Sequence, residues 1–250
     1  MNHKTALITG AASGIGLALT RKLAATGHAV YMVDRSAALP QVAQALRDAG
    51  ASVHFSLVDV GKEAEVVASA QDALQKMGSC EILVNCAGIT PKGNGGPIPL
   101  EDLTVDNWEY THRINLVAPI LYCKHLIPHM AEAGYGRVVN IASRSGRMHV
   151  EAAGLDYHAS KAGLIGVTRA LAGIYAAKGV TVNCVAPGRI DTPLSKQTRP
   201  EILELARQGI PARRFGQPEE VADAIQFLVS ASASYITGSC IDVNGGGYMN

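Results

Sequence analysis

The sequence predicts an α/β fold of the doubly wound kind, with seven parallel strands in one sheet and helices on both faces. Three observations carry this. Short apolar runs rich in β-branched residues recur along the 250 residues. Helical stretches separate them, as parallel connections require, because each crossover must be long enough to hold a helix. The runs are also near-continuously apolar, which fits strands covered on both sides. They fall at residues 5–10, 29–34, 52–60, 81–88, 137–143, 181–188 and 240–246. Sheets of this kind bind ligands outside the carboxyl ends of their strands, where the strand order reverses, so the chemistry should gather there.

The first strand ends in Thr9-Gly10-Ala11-Ala12-Ser13-Gly14-Ile15-Gly16 and runs into the helical stretch LALTRKLAATG. Glycines at a strand-to-helix junction let the backbone turn sharply, approach a pyrophosphate and present amide N–H groups at the positive end of a helix. Gly10, Ser13, Gly14, Ile15 and Gly16 therefore form the expected phosphate cradle of a Rossmann-type dinucleotide site. The second strand ends at Asp34, about 20 residues on, where such a site carries its acidic residue. A carboxylate there accepts both ribose hydroxyls of an adenosine and repels a 2'-phosphate, which favours NAD as cofactor. Arg35 beside it could hold that phosphate if Asp34 turned away, so NADP stays open. Asp34 as a helix cap, or paired with Arg35, is the structural alternative.

Asp59 and Val60 close the third strand, where a carboxylate can accept from an adenine amino group and a valine can pack on the ring. Asn85, Cys86, Ala87 and Gly88 end the fourth. Small residues there let a cofactor come close, while Asn85 would serve equally as a turn former. Long helices are expected around 107–132 and 157–177. In the second, Tyr157 and Lys161 stand four positions apart and so share one helical face. A tyrosine packed on a lysine stem would give the same pattern in isolation.

Taken in order, these motifs resemble the classical short-chain dehydrogenase/reductases over essentially the whole chain. Thr9 to Gly16 looks like that family's TGxxxGxG element, and Asn85 to Gly88 like its NNAG element with Cys86 in place of the second asparagine. Asn115 matches the helical catalytic asparagine, Ser143 the catalytic serine, and Tyr157 with Lys161 the YxxxK pair. Pro187-Gly188 and Thr192, with Ile190 between them, match the element that holds the nicotinamide end. The resemblance implies that Tyr157 exchanges a proton with an alcohol or carbonyl oxygen while hydride moves to or from a nicotinamide. The Lys161 ammonium, helped by the positive nicotinamide ring, is expected to draw the phenol from its usual pKa of ~10 toward neutrality, and Lys161 is expected to bond the nicotinamide ribose. Ser143 would orient the substrate oxygen. Asn115 would hold a water linking Lys161 to solvent. Ser145 competes with Ser143 for the hydroxyl role, but Ser143 sits at the strand end with Gly146 three residues later, as in the family.

Lys plus Arg number 22 against 21 Asp plus Glu, and a formal net charge of +1 leaves no electrostatic footprint for nucleic acid or an anionic membrane. Cys80, Cys86, Cys123, Cys184 and Cys240 form no C-x-x-C pair, which argues against a disulfide framework or zinc site and fits a reducing cytoplasm. No apolar run reaches the ~18 residues of a membrane span, and nothing reads as an export signal. Without repeats or linkers, one domain over 1–250 is expected, with a substrate loop at 188–216 and residues 89–103 as the opposite lip. Arg144, Ser145 and Arg189 join Ser143 as expected substrate contacts, with Arg147 and His149 nearby. These charges point to a small polar substrate, an anionic hydroxy acid or a polyol. Surface pairing of the arginines with Glu151, Asp156 or Asp191 is the plain alternative. His125 and His129 have metal-ligand spacing but no third ligand, and Pro128 marks a helix end, so no metal is expected.

By resemblance, the long helices pair across subunits of a homotetramer or homodimer. The expected activity is NAD(P)-dependent hydride transfer between nicotinamide and a secondary alcohol or ketone. An NADPH-dependent 3-oxoacyl-carrier-protein reductase is the rival, since KAGLIGVTRALA looks like those enzymes. A non-catalytic dinucleotide sensor is opposed by the intact set Asn115, Ser143, Tyr157 and Lys161. An epimerase or dehydratase is opposed by the short C-terminal region.

Overall fold

The computed structural model describes residues 3–93, 96–192, 204–205 and 207–249. Residues 193–203 and 206 of the expected substrate loop, and 94–95 of the opposite lip, lie outside them. Strands and helices alternate in chain order: β1 (Thr5–Thr9), α1 (Gly14–Ala25), β2 (Ala29–Asp34), α2 (Leu39–Asp48), β3 (Val53–Leu57), α3 (Glu63–Met77) and β4 (Ile82–Asn85). Then come α4 (Val105–His112), α5 (Ala118–Glu132), β5 (Gly136–Ile141), α6 (Leu155–Tyr175), β6 (Val180–Pro187), α7 (Pro218–Val229) and β7 (Cys240–Val243). The seven strands form one parallel sheet in the order β3-β2-β1-β4-β5-β6-β7, as the apolar runs predict.

The period of two along each strand sorts the core into two layers. Ala6, Ile8, Val30 and Met32 face α1, α2 and α7 on one side. Leu7, Tyr31, Val33 and Leu83 face α3, α5 and α6 on the other. The strand order reverses between β1 and β4, which opens a crevice at their carboxyl ends.

The strands end sooner than the apolar runs suggest. Cys86, Ala87 and Gly88 leave the sheet after Asn85, and the amides of Cys86 and Ala87 both donate to Thr9 Oγ1 at 3.0 Å. The helix expected at 107–132 is present but contains a five-residue π turn, Arg113–Val117, between α4 and α5. Pro128 lies inside α5 rather than ending it. The helix runs about one more turn because Pro128 is exposed and Leu126, Ile127 and Met130 beside it are buried in the core.

A buried polar chain ties α6 to the sheet. Asn140 Oδ1 accepts from Asn85 Nδ2 at 2.8 Å, Asn140 Nδ2 donates to Thr168 Oγ1 at 2.9 Å, and Thr168 Oγ1 donates to the Leu164 carbonyl at 2.8 Å. Truncating its middle would strand a buried donor and a buried acceptor. Asn140→Ala is therefore expected to lower unfolding free energy by about 2 to 4 kcal/mol in denaturant titrations.

Candidate active site

At the carboxyl edge of the sheet two cavities join, with volumes of about 320 and 220 Å³, and Ile15, Cys86, Gly88 and Thr192 line both. The larger takes Gly10, Ser13, Gly14 and Gly16 from the first loop, Asp34 and Arg35 from the end of β2, and Asp59, Val60 and Ala87 from the ends of β3 and β4. A Cβ on Gly16 would lie 2.1 Å from the Gly10 carbonyl oxygen, so the loop can fold this tightly onto α1 only with glycine there. Ser13 precedes α1 in extended conformation and makes no side-chain cap, leaving the first amides of the helix to face the groove. Asp34 is held in place: its Oδ2 accepts from the Ala12 amide at 3.0 Å and its Oδ1 from the Ser36 amide at 2.9 Å. Arg35 instead reaches the Tyr110 hydroxyl at 3.5 Å. Asp59 Oδ1 accepts from the Gly61 amide at 3.0 Å. This groove, with a glycine-built cradle at its middle and a fixed carboxylate at one end, fits a dinucleotide.

The smaller cavity brings together Ser143, Tyr157, Lys161, Pro187, Gly188, Ile190 and Thr192. The Ser143 hydroxyl is the side chain that favours ionisation of the Tyr157 phenol, while Ser145 supplies a backbone amide to Ser143 Oγ at 3.1 Å. Ser143, not Ser145, is therefore the hydroxyl against Tyr157. Lys161 is buried, donates from Nζ to the Ile141 carbonyl at 2.8 Å, and lies 5.8 Å from the centre of the Tyr157 ring. Burial brings its ammonium down to about 8. Burial raises the Tyr157 pKa, with the Ser143 hydroxyl opposing, because desolvation of the phenolate outweighs its neighbours in this surrounding.

Asn115 and Asn85 do not line either cavity. Asn115 sits in the π turn, where its side chain pairs with one peptide: Nδ2 donates to the Ile89 carbonyl at 2.9 Å and Oδ1 accepts from the Ile89 amide at 2.8 Å. It meets Lys161 at Gly88, where a Cβ would lie 3.2 Å from Asn115 Oδ1 and 3.4 Å from Lys161 Nζ. Asn85 turns into the layer under α5, toward Asn140 and Cys123.

Arg144, Ser145 and Arg189 line the smaller cavity, as does Lys92. Lys92 falls in the expected lip, but a loop of proline and glycine gives no periodicity to show which residue turns inward. Thr90, also in the expected lip, completes the wall with Val150, Ala152 and Ala153, which carried no sequence signal. Arg147 belongs elsewhere, 2.8 Å from Asp242 and over the Tyr248 ring, and His149 stacks on His158. Neither pairing was among the acidic partners the sequence offered. Asp156 is engaged by Thr111 at 2.5 Å. Among the described residues no group of His, Cys, Asp or Glu is arranged to hold a metal.

The family model described as enoyl-(acyl carrier protein) reductase matches residues 10–248. The chain is 41% identical to the cis-4-hydroxycyclohexanecarboxylate dehydrogenase of Sinomonas cyclohexanicum, over 98% of this chain and 96% of that one. It is 38% identical to a 3-oxoacyl-[acyl-carrier-protein] reductase of Pseudomonas aeruginosa, over 100% and 99%. The crystal structure of a 3-oxoacyl-[acyl-carrier protein] reductase with bound NAD from Brucella melitensis superposes with a TM-score of 0.91 at 33% identity, covering 99% of this chain and 92% of that one. A match of this length, on a sheet of this order with these side chains at its carboxyl edge, has one conclusion: the chain belongs to the short-chain dehydrogenase/reductase family, near its 3-oxoacyl-carrier-protein reductase branch, and is an oxidoreductase that moves hydride between NAD(P) and a secondary alcohol or ketone.

Proposed function

We propose that this enzyme prefers NAD and acts on a small polar secondary alcohol or its ketone, with coenzyme and substrate held in one domain. The observation that carries the reading is the junction of the two cavities: Ser143, Tyr157 and Lys161 face a space of about 220 Å³ that opens into a groove ending on the fixed Asp34 carboxylate. When bound, NAD(P) supplies the hydride acceptor or donor. The chain does the rest. Ser143 positions the substrate oxygen, and the Tyr157 phenol gives that oxygen its proton or takes it away. Lys161, with a pKa of about 8, is mostly charged at neutral pH yet close enough to its titration to pass a proton on. Asn115 is a positioning residue: by gripping the Ile89 peptide it fixes the backbone beside Lys161, and the family resemblance adds a water there that leads to solvent.

Asp34 supports NAD because two backbone amides keep it from turning away, the movement that a 2'-phosphate would require. The relatives' names cover both a hydroxy-acid dehydrogenase and carrier-protein reductases, so the size and charge of the cavity support the choice of a small polar substrate. Free cysteines at all five positions support a reducing cytoplasm. Among the described residues no helix is long and apolar enough to cross a membrane. Val117, Ile120 and Ile174 stand exposed on or beside α5 and α6, which supports pairing of these helices in a homotetramer or homodimer.

Absorbance at the reduced-nicotinamide band, with small alcohols, polyols and hydroxy acids as substrates, should show NAD reduced faster than NADP. Reaction confined to NADPH and a 3-oxoacyl thioester would establish the carrier-protein rival instead. Tyr157→Phe is expected to lower kcat by about 1,000-fold while coenzyme affinity by fluorescence titration stays near wild type. Asp34→Asn keeps an acceptor but removes the charge, and should narrow the NAD-over-NADP ratio of kcat/KM by about 10- to 100-fold.

Burial of Lys161 also sets a pH dependence of stability. Below pH 8 both folded and unfolded chains carry its proton, and the cost of the buried charge is complete. Between there and about pH 10.4 only the unfolded chain keeps that proton, so stability rises with pH. The unfolding free energy of the coenzyme-free wild type, minus that of Lys161→Met, should therefore rise by about 3 kcal/mol across this window.

A further inference from the structure

Arg144 stands one residue beyond Ser143, on the short 3-10 turn Arg144–Gly146, and lines the same cavity as Ser143 and Tyr157. It is half-buried, and burial alone holds its guanidinium below the ordinary value. Among the described residues no carboxylate pairs with it. Its head rests against Gly247, where a Cβ would lie 2.7 Å from Nη1. Besides Lys161, two further cations face the cavity. Arg189 is pushed down by burial and then by the charge of Arg144, and Lys92 by burial and then by the charge of Arg189. Both have contacts of their own, so Arg144 is the guanidinium left for an incoming group. No acidic residue is among the described residues lining this cavity.

Like charges around a space that partly excludes water raise one another's cost, and an anion relieves it. A guanidinium suits a carboxylate because its planar fork can form two parallel hydrogen bonds. We propose that Arg144 binds a carboxylate of the substrate, so that the substrate is a short hydroxy carboxylate, or the oxo carboxylate in the reverse direction. The inference rests on the oxidoreductase reading of this same site and adds the substrate class. Arg144 binds one end of the molecule while the adjacent Ser143 and Tyr157 meet its hydroxyl. The cavity formed by the described residues, about 220 Å³, suits a short molecule.

Binding and turnover separate the two ideas. Calorimetric titration of the NADH-loaded enzyme with butanoate and benzoate, against butanamide and benzamide, tests Arg144 without any reaction. The carboxylates are expected to bind about 10- to 100-fold more tightly than the amides. Arg144→Met should erase that preference and Arg144→Lys retain part of it, both with wild-type affinity for NADH as the check on folding. Equal affinity for acid and amide in the wild type, or a preference that survives in Arg144→Met, would overturn the proposal. In parallel, oxidation of 3-hydroxybutanoate should exceed that of its methyl ester, mainly through KM. Acid-selective binding without oxidation of any hydroxy carboxylate would overturn the proposed substrate class, whereas no oxidation of any alcohol, polyol or hydroxy acid would count against the reading of the site itself.

Discussion

The hydroxyl of Thr9 accepts two amides from the end of β4, those of Cys86 and Ala87, each at 3.0 Å. Much of the site follows from that one oxygen. It stands where the strand order reverses, between β1 and β4, and there the next crossover on each side leaves for the opposite face of the sheet. By satisfying amides that have no ladder partner, Thr9 lets residues 86–88 peel away while staying against the first loop. The gap so opened is the groove, and Gly88 is the point where its two cavities meet Asn115 and Lys161.

Helix α6 carries Tyr157 and Lys161, and it is clamped from three sides by buried polar contacts. Thr168 joins it to the sheet through Asn140 and Asn85. Asp156 receives the Thr111 hydroxyl of α4, and Ser160 Oγ receives Asn115 Nδ2 from the π turn at 3.2 Å. An extra residue in a helix costs regular hydrogen bonding, and π turns recur at functional sites for that reason. Here it turns the Asn115 amide onto the Ile89 peptide. The residues that hold the helix are thus separate from those that line the cavity: Asn85, Asn140 and Thr111 hold it, while Tyr157 and Lys161 face the cavity.

Burial acts on both Tyr157 and Lys161 in the direction of neutrality. It raises the phenol of Tyr157 and lowers the ammonium of Lys161 to about 8. The same desolvation pushes the Cys86 thiol up to about 12, so a cysteine in this place is an inert, compact neighbour rather than a nucleophile. Its sulfur fills space at the junction of the cavities where the family's usual residue would be an asparagine. The charge in the pocket comes instead from Arg144, Arg189 and Lys92, all on loops beyond the strand ends. Loops vary while the sheet edge holds its geometry, which is how one scaffold keeps a proton-transfer set and changes its substrate.

The strands, the glycine cradle, Asp34 and the Tyr157–Lys161 pair were legible in the sequence because each is a local pattern, set by residues a few positions apart. Alternation along a strand and the i to i+4 spacing of a helix are properties of the chain itself. Four matters were decided only by tertiary structure. Asn85 faces Asn140 rather than the groove, since its side of the sheet is fixed by what packs under α5. Lys92 enters the cavity from a loop with no period to read. Arg147 finds Asp242, 95 positions away. The burial that raises the Tyr157 phenol is the fourth, because it depends on how much water the surrounding elements remove. Sequence patterns specify which groups are present and which neighbours share a face, whereas orientation across elements and desolvation are sums over contacts that form only once the chain has closed on itself.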